Sequence, residues 1–143
     1  IKKASEFIKS GELDFHSLDE SPEININQNS FIPENYLPDI NVRLLMYNKV
    51  TLAETPEDLK NIQIEMINRF GLIPDELKNF FLQAELKLIA EDNSIKKINF
   101  VNNKINISFK DQELDTSFFN DDTLEEKVEM TTNVIRAISK NVS

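Results

Sequence analysis

With 25 acidic against 16 basic side chains in 143 residues, the chain has a formal net charge of −9, which repels phosphate at long range and argues against direct binding to nucleic acid. Hydrophobic residues at 40% and charged residues at 29% exclude a disordered tail, and no apolar run approaches the roughly 20 residues that span a bilayer. Cys is absent, which excludes disulfides, thiolate metal sites and thiol nucleophiles and fits a reducing cytoplasm, the expected location.

The length suits one domain, and a start at Ile1 rather than Met leads us to expect a piece of a larger protein. Residues 1–9 predict a short helix with Phe7 and Ile8 as its main apolar residues and a stop near Gly11. Residues 11–22 are polar and turn-like, as a linker is. We therefore expect 1–22 to be the tail of a preceding domain with its linker, and 23–143 to be the domain proper.

Ile24, Asn25, Ile26 and Asn27 alternate, which predicts a strand with one buried face. Pro33 and Pro38 predict an extended approach, because a residue before proline, here Leu37, is pushed from helical angles. Pro38 or Asp39 then opens a helix with Val42, Leu45 and Met46 on one face. A second helix begins at Thr55-Pro56-Glu57-Asp58, where Thr55 can cap, Pro56 suits the first helical position and Asp58 has capping-box spacing. Its inward residues are Leu59, Ile62, Met66, Ile67 and Phe70, and Gly71 ends it. Pro74-Asp75-Glu76 starts a third helix with Leu77, Phe80, Phe81, Ala84 and Leu88 as its buried stripe.

Two alternating runs follow, with Ile98 and Phe100 in one and Ile105, Ile107 and Phe109 in the other. Asn102-Asn103 between them suggests a type I′ hairpin turn, which places Phe100 opposite Ile105 and Ile98 opposite Ile107. Residues 111–119 can hold one more short strand. Asp121 or Asp122 can cap a last helix whose inward residues are Leu124, Val128, Thr131, Val134 and Ile138. The fold class is α+β, a small, largely antiparallel sheet covered by several helices.

Few residues suit catalysis. Two glycines, Gly11 and Gly71, cannot build a phosphate-cradling loop, so no nucleotide-driven motor is expected within this chain. The one histidine, His16, falls in the expected linker and reads as solvated rather than as a general base. Asp111, Glu113 and Asp115 resemble the start of a calcium loop. Thr116 and Asp122 stand where such a loop wants Gly and a bidentate acid, so a solvated acidic loop is the better reading. Neither a metal nor a cofactor is expected. Lys96, Lys97, Lys104 and Lys110 mark the hairpin, while the following stretch to Glu129 is acidic; both read first as solvated surface and second as docking patches.

Two strings are more specific. Residues 31–39, Phe-Ile-Pro-Glu-Asn-Tyr-Leu-Pro-Asp, are followed by Arg43 and Tyr47; residues 65–74 read Glu-Met-Ile-Asn-Arg-Phe-Gly-Leu-Ile-Pro. In this order and at this separation they resemble the C-terminal domain of bacterial transcription-repair coupling factors (Mfd), from about Ile24 to Ala90. The resemblance implies that residues 1–22 end a translocase motor and that 23–143 are a non-catalytic regulatory domain. The parent would be an ATP-driven DNA translocase that displaces stalled RNA polymerase and recruits UvrA. This domain would dock on the N-terminal UvrB-like module of the same chain and mask the surface UvrA uses. The contact positions it implies are Glu65, Asn68 and Arg69, with Asn68 standing where the family commonly has Asp. These three lie at i, i+3 and i+4 on one helix, so Glu65 and Arg69 can also simply pair with each other. An acidic adaptor with an external partner and a carboxylate-based enzyme are the alternatives. Pro33, Tyr36, Leu37, Pro38 and Asp39 are expected to lock the crossing from strand to helix rather than to form a site.

Overall fold

The computed structural model describes residues 21–117 and 123–142. The helix expected over 1–9, His16 and nearly all of the expected linker lie outside the described residues, as do Asp121 and Asp122. The elements in chain order are β1 (Glu23–Asn25), α1 (Ile40–Leu52), α2 (Pro56–Phe70), α3 (Asp75–Asp92), β2 (Lys97–Val101), β3 (Lys104–Ser108), β4 (Glu113–Ser117) and α4 (Leu124–Val142). The sheet order is β1-β2-β3-β4, with β1 parallel to β2 and the other pairs antiparallel. This is the expected α+β class with a mostly antiparallel sheet. The parallel pair arises because β1 reaches β2 only after the chain has passed through α1, α2 and α3.

The hairpin register is the expected one, Phe100 opposite Ile105 and Ile98 opposite Ile107. Its turn differs from the expectation: Asn102 takes φ of 55° while Asn103 does not adopt positive φ, so the two residues do not form a type I′ turn. Ile98, Phe100, Ile105 and Ile107 are all buried. The other face of the sheet is polar, with Glu23, Lys97, Ser108 and Glu113 in one cross-strand row and Asn25, Asn99, Asn106 and Asp115 in the next.

Two apolar clusters form. One joins the sheet to α3 and α4 through Leu86, Ala90, Ile98, Ile105, Ile107, Val128 and Ile135. The other gathers Ile32 and Leu37 with Met46, Val50, Leu59, Met66, Leu77 and Phe81. Helix α3 serves both, through Leu77 and Phe81 on one side and Leu86 and Ala90 on the other. A single stripe therefore under-describes it, and Leu86 and Ala90 were not among the expected buried residues.

Helix ends follow local chemistry. Asp39 caps α1 by accepting from the amides of Asn41 and Val42. Thr55 and Asp58 form a reciprocal capping box on α2. Thr123 caps α4. Its hydroxyl accepts from the Glu126 amide at 3.1 Å, and the Glu126 carboxylate accepts from the Thr123 amide at 2.8 Å. That contact, chiefly the backbone donor, holds the Glu126 carboxyl below its ordinary pKa. Gly71 ends α2 with φ of 105°, a conformation that side chains strain to reach.

Three further expectations are corrected. The segment between Pro33 and Pro38 turns rather than extends: the amides of Tyr36 and Leu37 both donate to the Pro33 carbonyl at 3.1 Å. Leu45 is 50% exposed and Ile67 is 40% exposed, so neither belongs to the core. Each lies beside the buried side of its helix, and the neighbouring elements cover only a narrower arc around Met46 and Met66.

Candidate docking surface

The segment from Ile32 to Arg43 holds α1 against the end of α2. The Tyr36 hydroxyl donates to the Gly71 carbonyl at 2.8 Å, with the Met66 carbonyl 3.2 Å away. Burial raises the Tyr36 pKa, which keeps that proton in place. The Arg43 guanidinium donates to the Leu37 carbonyl at 2.9 Å, and the Ile32 amide donates to the Tyr47 hydroxyl at 2.8 Å. Tyr36 meets the Phe70 ring edge-on at 6.2 Å, and the Arg69 guanidinium lies 4.8 Å from the centre of that ring. These residues carry packing and capping, as their sequence pattern predicts.

Of the three residues implied by the resemblance, two are joined directly. Arg69 Nη1 lies 2.9 Å from Glu65 Oε2, one helical turn away. Asn68 is exposed beside them. A third charged group, not singled out from sequence, completes the arrangement: Lys49 of α1 places its Nζ 3.0 and 3.1 Å from the two Glu65 oxygens. No local spacing rule announces it, because its partner lies sixteen residues on and on another helix. The hydrogen bond from Lys49, then that from Arg69, holds the Glu65 carboxyl below its ordinary pKa. Glu65 is therefore a charged, doubly bridged acceptor at the surface, suited to recognition and not to proton transfer.

Among the described residues the other acids at strand β4 serve as hydrogen-bond acceptors across the sheet. Glu113 accepts from the Ser108 hydroxyl at 3.0 Å and Asp115 from the Asn106 amide at 2.7 Å, both across β3 and β4. The strand thus uses them in its cross-strand rows. Among the described residues no three His, Cys, Asp or Glu side chains gather where they could hold a metal ion. Glu85 on α3 is half-buried, and burial pushes its pKa up, opposed by Arg136 and reinforced by Glu125. It lines a groove with Ile64, Lys78 and Leu124. Lys97 lies 3.5 Å from Glu23 on the neighbouring strand, so part of the basic hairpin is matched within the domain. No described helix is long and apolar enough to cross a membrane.

Comparison with known proteins adds a family. A model described as the TRCF domain matches residues 26–118. The transcription-repair-coupling factor of Borreliella burgdorferi is 38% identical over 95 residues, which cover 66% of this chain and 8% of that protein. That of Buchnera aphidicola from Acyrthosiphon pisum is 36% identical over 113 residues, covering 78% of this chain and 14% of that protein. The Escherichia coli K12 protein is 34% identical over 76 residues. A solved structure described as the C-terminal domain of a transcription-repair coupling factor is alike in fold, with a TM-score of 0.60 at 22% identity over 64% of this chain and 56% of that one.

Proposed function

The chain belongs to the TRCF domain family of transcription-repair-coupling factors, and from that premise we propose that it is the non-catalytic, autoinhibitory domain of its parent protein. The chain spans 8% and 14% of the length of two of the relatives it matches. The parent is an ATP-dependent DNA translocase that displaces stalled polymerase in the cytoplasm. Residues 1–22 close its motor, and residues 23–143 dock on its N-terminal UvrB-like module and mask the surface that UvrA needs. The domain itself takes no cofactor and does not contact nucleic acid.

One observation carries the assignment of the docking site. Glu65, Asn68 and Arg69 lie on the outer side of α2, outside both apolar clusters. A partner can reach them there without opening either cluster. The contact with Lys49 extends the same surface onto α1. Exposed ion pairs contribute only about 0.2–1 kcal/mol each. A tether supplies a high effective concentration, so such an interface stays mostly closed yet remains open to competition.

The test uses the full-length parent with Glu65→Ala and Arg69→Ala together. Loss of two or three weak pairs should raise the apparent affinity for UvrA about two- to tenfold, measured by equilibrium titration. The present chain should stay folded with the same changes and lose no more than its two exposed ion pairs supply, about 0.2–1 kcal/mol each. A folded variant with unchanged UvrA affinity would remove these residues from the interface.

A further inference from the structure

Helix α1 carries an outward face that the fold does not cover. Ile40, Leu44, Leu45 and Leu52 are 59%, 55%, 50% and 52% exposed. At about 100° per residue these four fall within an arc of about 140°, opposite the buried Met46 and Val50. The polar residues in that arc, Asn41, Asn48 and Thr51, are exposed and uncharged. No acid occurs anywhere on α1, and its two cations are engaged within the domain. Arg43 holds the Leu37 carbonyl and Lys49 holds Glu65. In a chain that is 29% charged, a helix with an uncharged, aliphatic outer side marks a contact surface rather than a solvated one.

We propose that this ridge is the apolar part of the docking surface described above and that its occupant is the same UvrB-like module of the parent chain. The inference rests on that reading. Continuity supports it: Leu45 and Leu52 stand four residues before and three residues after Lys49, so they flank on α1 the cation that bridges to Glu65. Area supports it too. A 13-residue helix offers a face about 20 Å by 10 Å, on the order of 200 Å², well short of the roughly 800 Å² per side typical of stable free-standing complexes. A partner held in the same polypeptide does not need that area. A second copy would have no such advantage and would bring a net charge of −9 against −9. The occupant's matching surface is apolar at its centre, over Leu45 and Leu52, with amide or hydroxyl groups toward Asn48 and Asn68.

Three variants of the full-length parent separate the possibilities: Leu45→Gln with Leu52→Gln, Glu65→Ala with Arg69→Ala, and Ile64→Gln as a control. Ile64 is 48% exposed but lines the groove between α2 and α3. Affinity for UvrA is read by equilibrium titration, circular dichroism checks the fold, and sedimentation reports the oligomeric state. The ridge variant should bind UvrA about fivefold more tightly or better, as loss of two exposed apolar contacts implies, while the control stays within about twofold. A rise with the Glu65 and Arg69 variant alone overturns the ridge and leaves the docking reading intact. A rise with the ridge variant alone keeps the ridge and removes Glu65 and Arg69 from the site. No rise with either overturns both. A wild-type dimer that the ridge variant dissolves makes a second copy the occupant and overturns the proposal.

Discussion

Glu65 takes two cations at once, one from its own helix and one from α1. The charged carboxylate is the form that both contacts favour, so its folded pKa lies below the value in the unfolded chain. The stabilisation is therefore complete above the ordinary carboxylate range and is lost as pH falls through the lowered folded value. Glu65→Gln should reduce stability at pH 7, and the gap from wild type should close as pH falls below about 4. Paired urea titrations from neutral to acid pH check this; a gap that is the same at every pH would mean that charge at Glu65 plays no part. Arg69 was legible as a partner because four residues separate it from Glu65. Lys49 was not, because its distance to Glu65 is set by how α1 crosses α2. Leu45 and Ile67 were misread for a related reason. Helical spacing tells which residues share a side, and not how wide an arc the neighbours cover.

Among the elements, the hairpin shows how far alternation reaches. Ile98, Phe100, Ile105 and Ile107 could be matched in register because a shift of one residue would turn every apolar side chain to the polar face. Phe100 is 3% exposed and packs within the cluster that joins the sheet to α3 and α4. Phe100→Ala should cost about 3–5 kcal/mol, measured by chemical denaturation. A loss below about 1 kcal/mol would show that the cluster closes around the change or does not depend on this side chain. Helix α3 marks where the pattern stops being informative. It packs on both sides, so its apolar residues spread around the helix and no single stripe describes it. At the start of α4, Thr123 and Glu126 form a capping box whose three-residue spacing is the one that opens α2.

At the scale of the molecule, net charge sets the long-range field. A net charge of −9 gives a long-range field that opposes phosphate, and part of the basic hairpin is matched by Glu23. The isolated chain should neither hydrolyse ATP nor bind duplex DNA appreciably. A fluorescence titration at about 150 mM salt that yields a reproducible micromolar affinity, beyond ordinary non-specific binding, would contradict the assignment. The same balance suits a restraint. A small, weakly attractive face is ineffective between free molecules, yet inside one polypeptide it can be held closed and still give way to a competitor.

The sequence by itself determined the helices from Thr55 to Ala90, the hairpin register, the α+β class and the poverty of catalytic parts. Each of these rests on local spacing, on capping chemistry or on residue counts, which need no knowledge of distant neighbours. It also carried the two strings from which Glu65, Asn68 and Arg69 were named. Only the tertiary structure decided that β1 lies parallel to β2, that α3 is shared between two clusters, and that Lys49 reaches Glu65. It alone decided that Leu45 and Ile67 stay outside the core. These features depend on contacts between residues far apart in the chain, and their geometry is set when helices and sheet pack together, not by the period of any one segment.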